Sequence, residues 1–322
     1  MEFSVIIPTY NRKSKIHSAI ESVLKQNITK TSIEILVIDD HSTDGTVDWL
    51  KQRYKTDFRV RVIMNERAKG PAGARNTGIL AARGKLIAFL DSDDIYLPRH
   101  LASVNRLLIQ HPEVSVVFGR ACYEQNGVKV DYMGPNFNSK VALAPCLFED
   151  AEVYVFGDAF FKHILEQGCY FNLSTVVMRT SAARILMNET LRIAEDFEFW
   201  ARLARNSRFA CLKHPQIRYQ LHNQNISFDE AINHAPILLR AYDIMLTYKQ
   251  LTLDEQEIIN RKQAEVLFNW AYRCSLRGYL LDAAKLHWRS ATLGLRQRNF
   301  LAMLKLPLIG FRNRLFPYES SR

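Results

Sequence analysis

The chain reads as an α/β protein, a mostly parallel sheet with flanking helices, followed by a small all-α C-terminal region. Three observations carry this. Apolar runs of strand length alternate with helical periodicities through the first 120 residues, the runs end in polar or acidic loops, and strand signals vanish from Asp229 onward.

The first unit opens with Ser4-Val5-Ile6-Ile7-Pro8, a continuous apolar run, and after Thr9-Tyr10-Asn11-Arg12 the positions Ile16, Ala19, Ile20, Val23 and Leu24 repeat at helical spacing. Residues 33–38 form a buried-type strand ending in Asp39-Asp40, and Ser42-Thr43-Asp44-Gly45 offers N-cap chemistry for a short helix through Val47 and Leu50. Residues 60–64 predict a third strand. A helix over 73–82, closed by Arg83-Gly84, leads to the strand Leu86-Ile87-Ala88-Phe89-Leu90. Strand, helix, strand in this order implies parallel neighbours, and such sheets bind ligands beyond the carboxyl ends of their strands. Pro8 to Asn11, Asp39-Asp40 and Asp91 to Asp94 all lie at those ends and should converge on one crevice. Further on, Asn126-Gly127 predicts a type I′ hairpin, residues 133–152 read as irregular, and residues 155–167 as a helix with Phe156, Phe160, Ile164 and Leu165 on one side. Beyond Asp229 the spacing predicts three helices, over 237–248, 258–276 and 279–293, with Gly278 turning the last two into a hairpin like that of a tetratricopeptide repeat.

Composition narrows the classes. With 322 residues, 48% of them hydrophobic, the chain is long enough for a domain of about 220 residues and an appendage. No apolar stretch reaches membrane-spanning length and the first strand starts at Phe3, so neither a span nor a signal peptide is expected and the protein belongs in the cytoplasm. Cys122, Cys146, Cys169, Cys211 and Cys274 are scattered, odd in number and without a CxxC pair, which argues against disulfides or a zinc site. A net charge of +10 invites a phosphorylated ligand, an anionic membrane or nucleic acid, and the last is disfavoured by the lack of any reader motif.

Asp91-Ser92-Asp93-Asp94 places three carboxylates within four positions at a strand end. Crowded carboxylates repel unless a cation sits among them, and two at a spacing of two can face one hard ion such as Mg2+ or Mn2+. The plainer alternative is that Asp93 or Asp94 caps a helix that Pro98 helps to start. No GxGxxG follows the first strand and no GxxxxGK[ST] occurs, so neither a dinucleotide site nor a P-loop is indicated.

The ordered set Ser4-Val5-Ile6-Ile7-Pro8-Thr9-Tyr10-Asn11-Arg12, Ile38-Asp39-Asp40-His41-Ser42-Thr43-Asp44-Gly45-Thr46, Ala74-Arg75-Asn76-Thr77-Gly78 and Phe89-Leu90-Asp91-Ser92-Asp93-Asp94 resembles family 2 glycosyltransferases of the GT-A fold, of the bacterial surface-polysaccharide type. The resemblance continues through Ser174 to Arg179 and Ala194 to Leu203, ends near His222 to Ser227, and so implies a catalytic domain over residues 1–228 and a helical domain over 229–322. It further implies a nucleotide-diphosphate sugar donor, most often a UDP-sugar, with a divalent metal. Pro8, Thr9, Tyr10 and Asn11 would then border the base and ribose, Asp40 would accept from a base N–H, and Arg75 would reach the base or phosphates. Asp91 and Asp93 form the DxD element, Asp93 as the stronger metal ligand and Asp91 toward the ribose, with His222 completing the site. Arg75 could equally be a solvated helix charge, Tyr10 a lid on the first helix, and Asn76 and Gly78 read as packing residues.

An acceptor hydroxyl needs a base to take its proton as it attacks, and Glu195-Asp196 at the start of a helix carrying Phe197, Trp200 and Leu203 is the source, with either carboxylate open as the base. The implied activity is inverting transfer to a glycan or lipid-linked acceptor. A sugar nucleotidyltransferase would want a Gly-rich basic loop after the first strand, which Thr9-Tyr10-Asn11-Arg12 is not, and a non-catalytic sugar-binding module would not need intact Asp91, Asp93 and Asp196. Finally, residues 296–316 mix Arg296, Arg298, Lys305, Arg312 and Arg314 with large apolar residues, interrupted by Pro307. They suggest peripheral contact with the inner membrane leaflet, the alternative being a terminal helix packed on its neighbour.

Overall fold

The computed structural model describes residues 1–28, 32–132, 134–183, 185–221 and 231–315. The chain forms two compact units, Met1–Asn225 and Ile226–Arg322.

The first unit begins with β1 (Phe3–Thr9), α1 (Ile16–Leu24), β2 (Ile33–Asp39), α2 (Thr46–Arg53), β3 (Val60–Met64), α3 (Pro71–Ala81) and β4 (Leu86–Phe89). These four strands lie side by side in the order β3-β2-β1-β4, all parallel, with Thr9 opposite Asp39 and Ile6 opposite Phe89. Every residue of β2 is buried, as the apolar run predicts for a strand covered on both faces. Gly45, at φ +79°, is the N-cap of α2 and has no side chain to cap with; Asp44 before it accepts from the Thr46 N–H at 3.0 Å. The helix expected from Gly73 starts two residues earlier, because Pro71 occupies the first turn, where a missing N–H costs nothing. A side chain on Gly73 would meet the Ala68 carbonyl oxygen at 1.9 Å and one on Gly78 would meet Ile6 at 2.4 Å, so α3 lies close on its surroundings only because both are glycine. The turn into β4 is fixed by the Ser4 hydroxyl, which accepts from the Arg83 and Gly84 N–H groups and donates to buried Glu34.

The chain continues through β5 (Ile95–Tyr96), α4 (His100–Gln110), β6 (Val114–Gln125), β7 (Val128–Val130), α5 (Gly134–Ala142), β8 (Cys146–Glu149), β9 (Val153–Phe156), α6 (Phe160–Gln167), a 3-10 turn at Leu173–Thr175, β10 (Val177–Arg179), α7 (Glu195–Ala204) and β11 (Arg208–Leu221). The sheet extends from β4 as β10-β6-β11-β9-β8, with β5 on β11 and β7 on β6. It is mixed here: β10 is antiparallel to both β4 and β6, while β6 and β11 run parallel. The Asn126-Gly127 hairpin forms as its sequence predicts, both residues at positive φ (51° and 79°) and Gln125 opposite Val128.

Two expectations fail in this half. Residues 133–152 are not irregular but contain α5 and β8, and residues 155–167 are not one helix. Val155 and Tyr154 pair with Ala210 and Cys211 of β11, so the segment is a strand until Phe156, and only Phe160 onward is helical. The helix cap suggested for Asp93 or Asp94 is also absent, since α4 starts at His100 after β5 has intervened.

The second unit comprises α8 (Ala231–Leu246), α9 (Leu253–Leu276), α10 (Leu280–Leu293) and α11 (Arg296–Leu315). Helix α9 opens on a capping box in which the Thr252 hydroxyl accepts from the Glu255 N–H at 3.2 Å and the Glu255 carboxylate from the Thr252 N–H at 2.9 Å. Gly278, at φ +86°, turns α9 into α10, and Leu239, Leu267, Ala271, Ala283, Leu286 and Leu306 form the unit's core. Pro307 does not interrupt the last helix. Proline removes one bond, to the Met303 carbonyl, and α11 continues through it from Arg296 to Leu315.

Candidate active site

Because β4, β1 and β2 are parallel neighbours, their carboxyl ends bring Asp91, Thr9 and Asp39-Asp40 to one edge. The first two loops are tied together there. Asn11, at φ 52°, accepts from the Thr43 N–H at 2.8 Å through its side chain and donates its own N–H to the Ser42 hydroxyl at 2.8 Å. Asn11 therefore fixes the two loops to each other. Tyr10 is exposed rather than laid on α1, and the Lys69 ammonium sits 4.6 Å from its ring centre, so the loop lysine and the aromatic share one surface. Pro8 is half-buried between them and the sheet.

Asp40 is buried and accepts from Asn65 Nδ2 at 2.6 Å and from the Gly70 N–H at 2.9 Å, one bond to each oxygen. A carboxylate retains further lone pairs after two such bonds. Beside it, the Asp39 Oδ2 and Thr9 Oγ1 atoms are buried and have no partner among the described residues, while Asp39 Oδ1 receives the Ser42 N–H at 2.8 Å. Unpaired buried polar atoms are uncommon and costly. Here two lie opposite each other at the strand ends, and Asp39 joins the candidate site although sequence reasoning weighted only Asp40.

Arg75 is the centre of the arrangement. Its guanidinium, on α3, donates to Asp91 Oδ1 at 2.8 Å and to Glu195 Oε1 at 2.8 Å, and the side chain is buried, so the reading as a solvated helix charge is corrected. Burial works against its charge, but Asp91 and Glu195 outweigh it and hold the proton above the ordinary value. Asn76, one residue on, is buried and bonds Met187 through both ends of its amide, a packing role as expected.

The acidic loop is held from below. Ser174, in the 3-10 turn, donates to Asp94 Oδ2 at 2.6 Å and accepts the Asp91 N–H at 3.0 Å. Asp94 is buried, and burial followed by the charge of Asp91 raises its carboxyl well above the usual range. It stabilises the loop, whereas Asp93 stays partly open to solvent with Arg12 at 3.7 Å. Two carboxylates with oxygen donors fit a hard divalent ion in kind. Among the described residues no three ligating side chains converge, so Asp91 and Asp93 alone would leave most coordination positions to phosphate oxygens and water. His222, the third expected ligand, lies outside the described residues, one position beyond the end of β11.

Opposite this loop stands the first turn of α7. Glu195 is buried and committed to Arg75; burial and then Asp196 push its carboxyl up to about 7, with Arg75 opposing. Asp196 is half-buried, accepts the Phe197 N–H at 2.7 Å and lies 4.0 Å from the Cys169 sulfur. Its carboxyl is also raised, by burial first. The helix below it is rigid, since Phe197, Phe199, Trp200 and Leu203 are all buried.

A mostly parallel Rossmann-like sheet with flanking helices, its strand ends beside a carboxylate-bearing helix, is the GT-A architecture. The family model described as glycosyl transferase family 2 matches residues 4–164, half of the chain, and the chain belongs to that family. It is 31% identical over 229 residues to TuaG of Bacillus subtilis strain 168, a glycosyltransferase assigned to teichuronic acid biosynthesis, covering 70% of this chain and 81% of that protein. It is 42% identical over 120 residues to the Escherichia coli UDP-Glc:alpha-D-GlcNAc-diphosphoundecaprenol beta-1,3-glucosyltransferase WfgD, a match that spans 36% of this chain and 44% of the relative. Among solved structures, Staphylococcus aureus TarS in complex with UDP-GlcNAc superposes with a TM-score of 0.67 at 20% identity, covering 97% of this chain and 89% of the other. The mannosyltransferase PcManGT of Pyrobaculum calidifontis, in complex with GDP-Man and Mn2+, superposes with a TM-score of 0.56 at 17% identity over 99% and 88% of the two chains. At such identities the superpositions speak for the fold alone.

Proposed function

We propose that the protein transfers a sugar from a UDP-sugar, with inversion, to a hydroxyl of a surface glycan or a lipid-linked saccharide. The observation that carries this is the Arg75 bridge, which brings a donor-side carboxylate loop and a base-bearing helix to the two sides of one guanidinium. The donor side supports a nucleotide. Tyr10 and Pro8 offer a face for a base, while Asp40 and the unpaired Asp39 and Thr9 oxygens offer acceptors and a donor for its edge. Lys69 adds positive charge beside Tyr10, where a diphosphate would be welcome.

Asp93, with Asp91, would hold a Mg2+ or Mn2+ ion. When bound, that ion draws off the negative charge that grows on the departing diphosphate. Asp196 is assigned as the base because Glu195 is occupied by Arg75. In one displacement the acceptor oxygen bonds to the anomeric carbon, the bond from that carbon to the diphosphate oxygen breaks, and the hydroxyl proton passes to Asp196. The lipid-diphosphate acceptor and UDP-Glc donor in the name of WfgD, and the UDP-GlcNAc bound by TarS, favour this substrate class.

Calorimetric titration with UDP, GDP, CDP and ADP, each with Mn2+ and with chelator, tests the donor side. UDP is expected to bind with Mn2+ and at least tenfold more weakly with chelator. Equal UDP affinity in both conditions would remove the metal from the site, and preference for another base would replace the uridine assignment.

A further inference from the structure

Helix α11 carries two apolar faces, and only one of them is used within its unit. On the inner face Asn299 is fully buried, its Oδ1 2.7 Å from His287 Nδ1 and its Nδ2 donating to the Ser290 hydroxyl at 2.8 Å, and Leu306 is 7% exposed. On the outer face Phe300, Leu301, Leu304 and Leu308 are 60%, 59%, 60% and 71% exposed. At 3.6 residues per turn these four share one continuous arc of roughly 100°. Arg296 lies just beyond one edge of that arc and Lys305 and Arg298 just beyond the other, all three exposed, with Arg298 also 5.0 Å from the centre of the Phe268 ring. The sequence of α11 contains five basic residues and no acidic one.

From this pattern we infer that the outer face of α11 is a docking surface for an anionic lipid bilayer, lying in the plane of the headgroups with Phe300, Leu301, Leu304 and Leu308 below them. Charge complementarity selects this occupant. A second copy of the chain placing the same face against this one would bring Arg296, Arg298 and Lys305 of each copy together, with no acidic residue in the sequence of either helix to balance them. Anionic headgroups balance the flanking cations and acyl chains accept the apolar arc, the two contributions an interfacial helix uses. No described helix is long and apolar enough to cross a membrane, and an in-plane helix does not need to be. Docking of this kind would keep the enzyme beside a lipid-linked acceptor, but it does not depend on what the enzyme transfers.

Co-sedimentation of the full chain with vesicles tests it, without donor or acceptor present, so that a failure here leaves the proposed transfer untouched. Vesicles of phosphatidylethanolamine and phosphatidylglycerol at three to one should pellet the protein, with binding that falls as NaCl is raised, and phosphatidylcholine vesicles should retain far less. The double variant Leu304→Ser, Leu308→Ser should bind at least tenfold more weakly, and Arg296→Ala with Lys305→Ala should lose most of the preference for phosphatidylglycerol. Because these side chains are exposed, thermal unfolding should be unchanged in all of them. No pelleting with phosphatidylglycerol vesicles, or undiminished pelleting of the Leu304, Leu308 variant, overturns the inference. A vesicle-free dimer in sedimentation velocity that the same variant abolishes also overturns it, and gives the face to a second copy.

Discussion

The donor half and the acceptor half of the sheet are held by different means. From β3 to β4 the strands are parallel neighbours, so Thr9 and Asp39 are set opposite each other by the backbone ladder, while Asp91, two residues beyond β4, gives its N–H to the Ser174 hydroxyl. Beyond β4 the sheet is mixed, with a long parallel β6–β11 ladder flanked by antiparallel strands, and an aromatic cluster is built on it: the Phe118 ring stacks on Phe171 at 4.1 Å between centres, on Phe156 at 5.9 Å and on Phe160 at 6.1 Å, with Tyr170 edge-on at 6.1 Å. Aromatic packing of this sort tolerates changes of sequence that a parallel ladder with fixed crossovers does not. In the proposed reaction, nucleotide recognition would rest on the first half and acceptor choice on the half built around the aromatic cluster. Two of the polar links between the halves bear on the candidate site: Arg75 reaches Glu195, and Ser174 reaches back to Asp91 and Asp94.

The largest effect belongs to a change confined to the acceptor half. Asp196→Asn should lower transfer about 10²- to 10⁴-fold, the usual contribution of a general base, while UDP affinity by calorimetry stays within a factor of about two. A parallel loss of UDP binding would mean that the two halves are not separable and that Asp196 is structural. The pH profile sharpens the same point. A base works only when ionised, so a carboxyl raised by burial loses activity as pH falls through its raised value. The acid limb of kcat/KM should therefore lie above the ordinary carboxylate range of about 4. A limb near pH ~4 would point to a solvated base elsewhere.

Arg75→Ala cuts the first link and should damage both halves at once. Removing one partner from a buried ion-pair cluster costs about 3–5 kcal/mol, although Glu195 can relieve part of this by taking up a proton. Urea unfolding should show the loss, and both UDP affinity and transfer should fall together, unlike in the Asp196 variant. Arg75→Lys should recover part of the stability but little of the transfer, because an ammonium lacks the planar fork that spans Asp91 and Glu195.

Residues differ in how far they could be read from the sequence. Asp91 and Asp93 were legible because a buried strand announces itself by its apolar run and the acidic residues follow at once. The residue Arg75 was legible, but not its task, since one partner lies 120 positions away and no local pattern separates a solvated helix arginine from a buried one. Asp39 and Asp40, or Asp93 and Asp94, are chemically alike in sequence, and only the packing decides which is buried, which is paired and which is left with an open oxygen. Residues 155 and 156 differ from expectation for a related reason. Val155, Phe156, Phe160 and Ile164 fit a helical period by themselves, and the strand is set by its pairing with β8 on one side and with β11, more than fifty residues later, on the other. Parallel units joined by short helices carry their order along the chain. Antiparallel neighbours recruited from distant segments do not.

Ser174→Ala cuts the second link and should have the smallest effect of the three, in a form that tells positioning from chemistry. The hydroxyl touches neither donor nor acceptor in the proposed reaction; it donates to Asp94 and accepts from the Asp91 N–H, so that its loss takes one bond from the buried Asp94 carboxyl and one from the part-buried Asp91 N–H. Such losses cost about 1–3 kcal/mol, here toward the lower end because the raised carboxyl of Asp94 can hold a proton. The expected result is a donor KM raised roughly tenfold at most, with kcat lowered much less, since the base on α7 is untouched. Ser174→Thr, which keeps the hydroxyl, should restore the donor KM if the extra methyl is accommodated. Should Ser174→Ala instead lower kcat as severely as Asp196→Asn does, the acidic loop and the base helix would form one catalytic unit, and the division of the sheet into a donor half and an acceptor half would lose its functional meaning.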